Sequence, residues 1–336
     1  MKKILVVLLA AASLAACKGK RKIPDVSKIK VKLSIQRFDR DFFSIDTNNV
    51  AASLDRLRQQ YPLFINDYLY NILALPPMQD SILPKLKLFI RDYKPVYDSV
   101  QKQFASMETT EKDMKRALQF VQYYFPGYKS PSNIVTFIGP LEGYGNVLTG
   151  SGFAVGLQMY LGKNFSAYQA DFIREVYPDY QSRRFEPAYI PVNCTRNLID
   201  DMYPLNTSGK NLIEQMVELG KRMYILDMLL PETADTLKTG YTANQLKGCY
   251  DHEALIWNYF TQNELLYVTD PVMIRDYVND GPKTTPLGEA SPGNIGMFIG
   301  WQIVKKWMDK NNITSLPQLM ATPAKQIFEE TKYKPR

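Results

Sequence analysis

Polar and apolar positions along the chain fall into a few distinct patterns, and each predicts an element. Behind Lys2 and Lys3, Ile4 to Ala12 are nine consecutive apolar residues, too short a run to span a bilayer. Ile29, Val31, Leu33 and Ile35 alternate with polar residues, the period-two signature of a half-buried strand. From residue 49 to 125 the pattern is helical, in three or four segments separated by Tyr61-Pro62, Pro76-Pro77 and the stretch from Ser106 to Thr110. Ile134 to Ile138 predicts a strand and Phe153 to Leu161 a second, so a small sheet is expected within 133–161. Gly139, Gly143, Gly145, Gly150, Gly152 and Gly156 mark a glycine-bearing loop leading into the second strand.

Residues 190–330 read as helical again. Leu212, Met216, Leu219, Met223, Leu226 and Leu230 recur at spacings of four and three, a continuous apolar seam. Glu218 and Arg222 on its other face are spaced as an ion pair. Gly220 interrupts good helix formers, which close approach of another element would explain. Thr242 and Gln245 fit a capping box opening a helix to about Phe260. Ser291-Pro292 fits the cap and first position of another, in which Gly296 and Gly300 let a neighbour come near. The fold class expected is α+β, predominantly α-helical with a small sheet.

Leu14-Ala15-Ala16-Cys17 closes the first apolar run. A basic head, a short apolar core and a small-residue exit describe a secretory signal. The cysteine at the exit makes it resemble a bacterial lipoprotein signal, cut before Cys17, whose thiol then carries a diacylglyceryl group. Each buried acyl methylene contributes about 0.8 kcal/mol, so a multiply acylated Cys17 would anchor the chain. The organisation expected is a signal peptide at 1–16, a lipidated cysteine and basic tether at 17–34, and one mainly helical domain at 35–336.

The net charge of +7 changes less than it first suggests. Lys18, Lys20, Arg21, Lys22, Lys28, Lys30 and Lys32 face one acid, Asp25, and the rest of the mature chain is near neutral. The excess is a tether that anionic headgroups would attract by about 1 kcal/mol per charge, or else a solvated linker. Nucleic acid is not supported as a partner. Cys194 and Cys249 remain after Cys17; an oxidising compartment permits a disulfide between them, but two separate buried thiols are the favoured reading.

Candidate chemistry is sparse. The chain has one histidine, His252, within Asp251-His252-Glu253. A zinc-peptidase helix needs a second histidine four residues on, and Ile256 stands there. Glu253 breaks an apolar stripe of Leu246, Tyr250, Trp257 and Phe260, so it needs a partner such as an arginine or tyrosine, or else it marks a cleft. Asp200-Asp201 and Glu214/Glu218 are carboxylate pairs of the kind acid–base catalysis uses, but such pairs are usually a solvated helix face. The glycine-bearing loop lacks the Gly-Lys-Ser/Thr of a phosphate loop, and no cofactor is implied.

Several stretches together resemble the gliding-motility lipoprotein family of Bacteroidetes, usually called GldB. They are Arg37-Phe38-Asp39, Tyr61-Pro62-Leu63-Phe64, Asn197 to Asp201 before Tyr203-Pro204, Gly220-Lys221, Leu229-Leu230-Pro231, Tyr241-Thr242, and Ser291 to Gly296 running into Gly300 to Val304. The resemblance implies an envelope lipoprotein associated with gliding motility and with the linked secretion machinery. It also implies a distant likeness to zincin-type metallopeptidases, with Val192 to Met202 where His-Glu-x-x-His would belong. That segment has no histidine, so a zincin-like fold here would be catalytically empty.

The expectation is a non-enzymatic lipoprotein with an interaction or assembly role, lipid-anchored at the outer membrane and facing the periplasm. Its partners would be the membrane, through the lipid, and envelope proteins. Two rivals follow from the same residues. One is a metallopeptidase with an atypical metal site at His252 and Glu253. The other is a periplasmic small-ligand binder, which a cleft beside the glycine-bearing loop, lined by Tyr144 and Asn146, would favour.

Overall fold

The computed structural model describes residues 23–76 and 79–335. Cys17, the signal segment and the first bases of the tether lie outside the described residues. In chain order, β1 (Ser34–Gln36) leads into α1 (Phe38–Phe43), α2 (Val50–Gln60), a π-helical turn (Asp67–Ile72), α3 (Gln79–Asp92), α4 (Lys94–Gln103) and α5 (Glu108–Tyr124). The strands β2 (Asn133–Phe137), β3 (Asn146–Thr149) and β4 (Gly152–Gly156) follow. After α6 (Asp171–Val176) and α7 (Asp179–Ser182) come α8 (Tyr189–Met202), α9 (Leu212–Leu229), α10 (Asp235–Thr239), α11 (Ala243–Asp251) and α12 (Glu253–Gln262). The chain finishes with α13 (Pro271–Val278), α14 (Ile295–Lys310), α15 (Leu316–Ala321) and α16 (Ala324–Thr331). The class is the one expected, a mostly helical α+β protein with a small mixed sheet.

The sheet order is β1-β2-β4-β3, parallel except for β3 against β4. Both faces are covered, which is why the strands read as apolar runs instead of alternating. Side chains still alternate between two cores. Val135, Phe137 and Ala154 meet α1 to α3 and the π-helical turn, while Ile134, Phe153 and Val155 meet α5 and the C-terminal helices. The strand foreseen at Phe153 to Leu161 stops at Gly156 and continues as a 3-10 turn, Leu157–Met159. The loop before it holds β3, which was not anticipated, because its half-buried residues Asn146 to Thr149 carry no clear period.

The N-terminal alternation is real, but only its end forms a strand. Only Ser34–Gln36 pairs, against Asn133 to Val135 of β2. Upstream, Val26 and Leu33 are buried and Ile29 and Val31 half-buried, with Lys28, Lys30 and Lys32 exposed. The extended segment packs by its apolar side, and the Ile29 carbonyl accepts from Gln119 Nε2 at 3.0 Å in place of a ladder. Val26 and Leu33, within the stretch read as tether, are thus packed against the domain.

Arg37, Phe38 and Asp39 lock this corner. Asp39 is fully buried and accepts from Arg37 Nε at 2.9 Å and Nη2 at 2.8 Å, from Gln101 Nε2 at 2.9 Å and from Thr136 Oγ1 at 2.5 Å. Arg37 Nη1 donates to the Phe104 carbonyl at 2.8 Å. A charge taken out of water is tolerated because every lone pair has a donor. Phe38 points into a ring cluster with Phe42, Tyr61, Phe64 and Tyr68.

The second core is organised around α9 and α14. Gly220 of α9 and Gly300 of α14 face each other, and a Cβ on either would strike the other helix's backbone. The capping box of Thr242 and Gln245 is present as expected. Three local expectations fail. The helix after Thr242 breaks at His252, where the backbone reaches φ −116° and ψ 19°. The last long helix starts at Ile295 behind Asn294 in the left-handed region, while Ser291 Oγ donates to the Gly288 and Thr284 carbonyls. Glu218 bonds Lys210 and Lys221, leaving Arg222 to Asp200 and the Tyr203 carbonyl.

Candidate functional site, a polar cleft beside the glycine-bearing loop

The residues singled out for chemistry do not assemble. His252 is exposed at the junction of α11 and α12, and Glu253 beside it accepts from the Tyr333 hydroxyl. That tyrosine is the partner the apolar stripe demanded, and burial together with Glu253 pushes its phenol pKa up. Cys194 on α8 and Cys249 on α11 are free and buried, so no disulfide joins them. Burial pushes both thiols up to about 12. The carboxylate pairs are spent on structure. Glu214 completes a capping box with Asn211, Asp200 meets Arg222, and Asp201 accepts from Tyr128 at 2.7 Å. Among the described residues no group of three or more His, Cys, Asp or Glu could hold a metal ion.

What the fold does assemble is a cleft of about 390 Å³ beside the glycine-bearing loop, within the usual range for small-molecule sites. Gly145 and Asn146 form one edge, Met159 and Tyr160 the floor, and the strap from Tyr177 to Tyr189 the rim. One face of α8 forms the back wall, with Val192, Asn193, Arg196 and Asn197 recurring at helical spacing. The other face of that helix, Cys194, Thr195, Leu198 and Ile199, is core. Tyr144 is on the loop but exposed and outside the lining.

A hydrogen-bonded chain fixes the floor. Asn193 Nδ2 donates to the Tyr160 oxygen at 2.8 Å, the Tyr160 hydroxyl donates to Asn146 Oδ1, and Asn146 Nδ2 donates to Cys194 Sγ at 3.0 Å. Burial holds the Tyr160 phenol well above its ordinary pKa, so it stays a neutral donor. The strap is tied down where the Tyr177 hydroxyl donates to the Gly143 carbonyl at 2.7 Å.

Two guanidinium groups enter from opposite sides. Arg196 Nη2 donates to the Lys238 carbonyl at 2.6 Å, at the end of α10, and Arg184 Nη2 meets Asp280 at 2.5 Å. Gly240, at φ 73°, makes room for Arg184: a Cβ there would stand 3.0 Å from Nη1 and 3.1 Å from Cδ. Arg196 is ringed by protein yet exposed, because the water that reaches it is the water of the cleft. Burial lowers its pKa and Arg184 adds to the effect. The lining contains no aspartate, glutamate or histidine.

Neither arginine was foreseen. Asn193, Arg196 and Asn197 at helical spacing in an otherwise apolar stretch were the available signal for one wall. Nothing local points to Arg184.

Fold and site together define a mainly helical α+β protein with an arginine- and amide-lined cleft. Its family is equally clear: the chain belongs to the family of the gliding motility protein GldB, whose profile matches residues 19–335. No curated protein and no solved structure matches the chain, so the likeness to zincins rests on the sequence resemblance alone. Among the described residues no helix is long and apolar enough to cross a membrane.

Proposed function

We propose that this motility-family lipoprotein works by binding and not by catalysis, as an interaction or assembly component of the cell envelope. Cys17 carries the lipid, the basic tether lies along the headgroups, and the domain faces the periplasm at the outer membrane. Its partners are components of the motility or secretion machinery. The observation that carries this reading is the chemistry of the cleft, where two arginines, three asparagines and several phenols meet without a carboxylate or imidazole to move a proton.

The test is complementation of a strain lacking the gene, scored by colony spreading and by fatty-acid labelling of the protein. Cys17→Ser should lose both label and function, whereas His252→Ala and Glu253→Gln should keep both. Stoichiometric zinc in the purified protein, lost together with function in His252→Ala, would overturn the proposal in favour of a metallopeptidase. Equal labelling of wild type and Cys17→Ser would overturn the anchor. A second reading, small-ligand binding, is favoured by the place of the cleft, with Gly145 and Asn146 of the glycine-bearing loop at its edge.

A further inference from the structure

Among the residues that line the cleft the charges do not balance. Arg184 has Asp280 as its counter-ion. Arg196 forms no ion pair among the described residues: one nitrogen meets the Lys238 carbonyl, and Asp280 is the acid whose field reaches it. Behind them Arg183 Nη2 donates to the Gly240 carbonyl at 3.0 Å and to Gln245 Oε1 at 3.2 Å, again without a carboxylate. Among the described residues, Asp280 is the one carboxylate paired with any of these three guanidinium groups.

A guanidinium has five N–H donors in a planar fork, and capping a single carbonyl at the end of α10 uses one of those on Arg196. Arg196 is exposed, so its remaining donors open onto the cleft. Whatever fills the cleft therefore has to solvate them. Water can do so. A carboxylate or phosphate does it better, since two oxygens match the fork with two charge-assisted hydrogen bonds.

The neighbours of Arg196 fit the same ligand. Asn197, one residue on, makes no side-chain hydrogen bond within the described residues and lines the same wall. Phe185, Leu237 and Tyr189 supply apolar surface beside the polar groups, so the pocket suits an anion carried on a small, partly apolar body more than a bare ion. No lining carboxylate would repel it.

We propose that the cleft is a binding site for a small organic oxyanion, with its carboxylate or phosphate group held by Arg196 and Asn197 and its body seated against Phe185 and Tyr189. The site rests on the binding reading given above and specifies its ligand class.

Isothermal titration of the purified full-length protein in non-ionic detergent, at constant ionic strength, tests it. The probes are inorganic phosphate, citrate, N-acetyl-dialanine and the uncharged amide of that dipeptide. At least one of the three anions should bind, and which of them binds separates phosphate from carboxylate recognition. If the dipeptide acid binds, its amide should bind at least about tenfold more weakly. Arg196→Gln and, independently, Asn197→Ala should each weaken binding, the former by about tenfold or more. Arg58→Gln, which removes the same charge from α2 on the other side of the sheet, should leave it unchanged. Asn197→Ala breaks no intramolecular hydrogen bond, so it keeps the test sound if Arg196→Gln fails to fold.

Absence of titration by all three anions would overturn the proposal, as would binding indifferent to both cleft variants, or acid and amide binding alike. In that event normal complementation by wild type and loss in Cys17→Ser would still leave the assembly reading standing. Conversely, anion binding lost in Arg196→Gln with full complementation by that variant would uphold the site and detach it from the envelope role.

Discussion

The crossing of α9 and α14 can be tested at a single carbon. A Cβ added to Gly220 would stand 2.7 Å from the Trp301 nitrogen and closer still to the Gly300 carbonyl, against about 3.5–4 Å for an ordinary carbon contact. The obstacle is backbone, which has no rotamer to change, so the two helices must part by about an ångström. Overpacking a core costs roughly 1–3 kcal/mol, and a backbone obstacle puts Gly220→Ala at about 3. Replacing a helical glycine by alanine gains about 1 kcal/mol in propensity. The net expectation is destabilisation by about 2 kcal/mol. Gly248 in α11 supplies the control, since nothing lies within 4 Å of its added Cβ; Gly248→Ala should stabilise by roughly 0.5–1 kcal/mol. Urea unfolding followed by far-UV circular dichroism reads both as shifts of midpoint at unchanged slope. If Gly220→Ala raised the midpoint as Gly248→Ala does, the close crossing of these helices would be refuted.

Two further predictions rest on buried groups. Cys194 and Cys249 have folded-state pKa values pushed from 9.0 to about 12. Their contribution to stability is therefore complete below about pH 9 and is lost as pH rises towards 12, because the unfolded thiol gives up its proton first. Iodoacetamide at pH 8 should leave both thiols of the folded protein unlabelled and label them in denaturant; rapid labelling of the native state would contradict their burial. Asp39→Ala should cost roughly 3–5 kcal/mol, since it strands Arg37 and removes the acceptor shared by Gln101 and Thr136. A thermal midpoint within a degree or two of wild type would show that this corner contributes little.

Sequence alone determined the elements whose causes are local. The Leu212 seam, the Thr242–Gln245 cap and the demand of Glu253 for a partner depend on residues within a turn or two, and each appears in the structure. Gly220 announced a close neighbour without naming Gly300. Local signals misled where a distant contact competed. Ser291 looked like a helix cap, but the Thr284 segment takes its hydroxyl. Glu218 and Arg222 were spaced to pair, but each found a partner nearer in space. The cleft belonged to the tertiary structure entirely. Its walls come from segments between Gly145 and Gly240, and an arginine without a counter-ion looks in sequence like any surface arginine. Only packing that excludes carboxylates from its surroundings turns it into a site, because the strength of a charge interaction is set by what surrounds it in space and not by its neighbours in the chain.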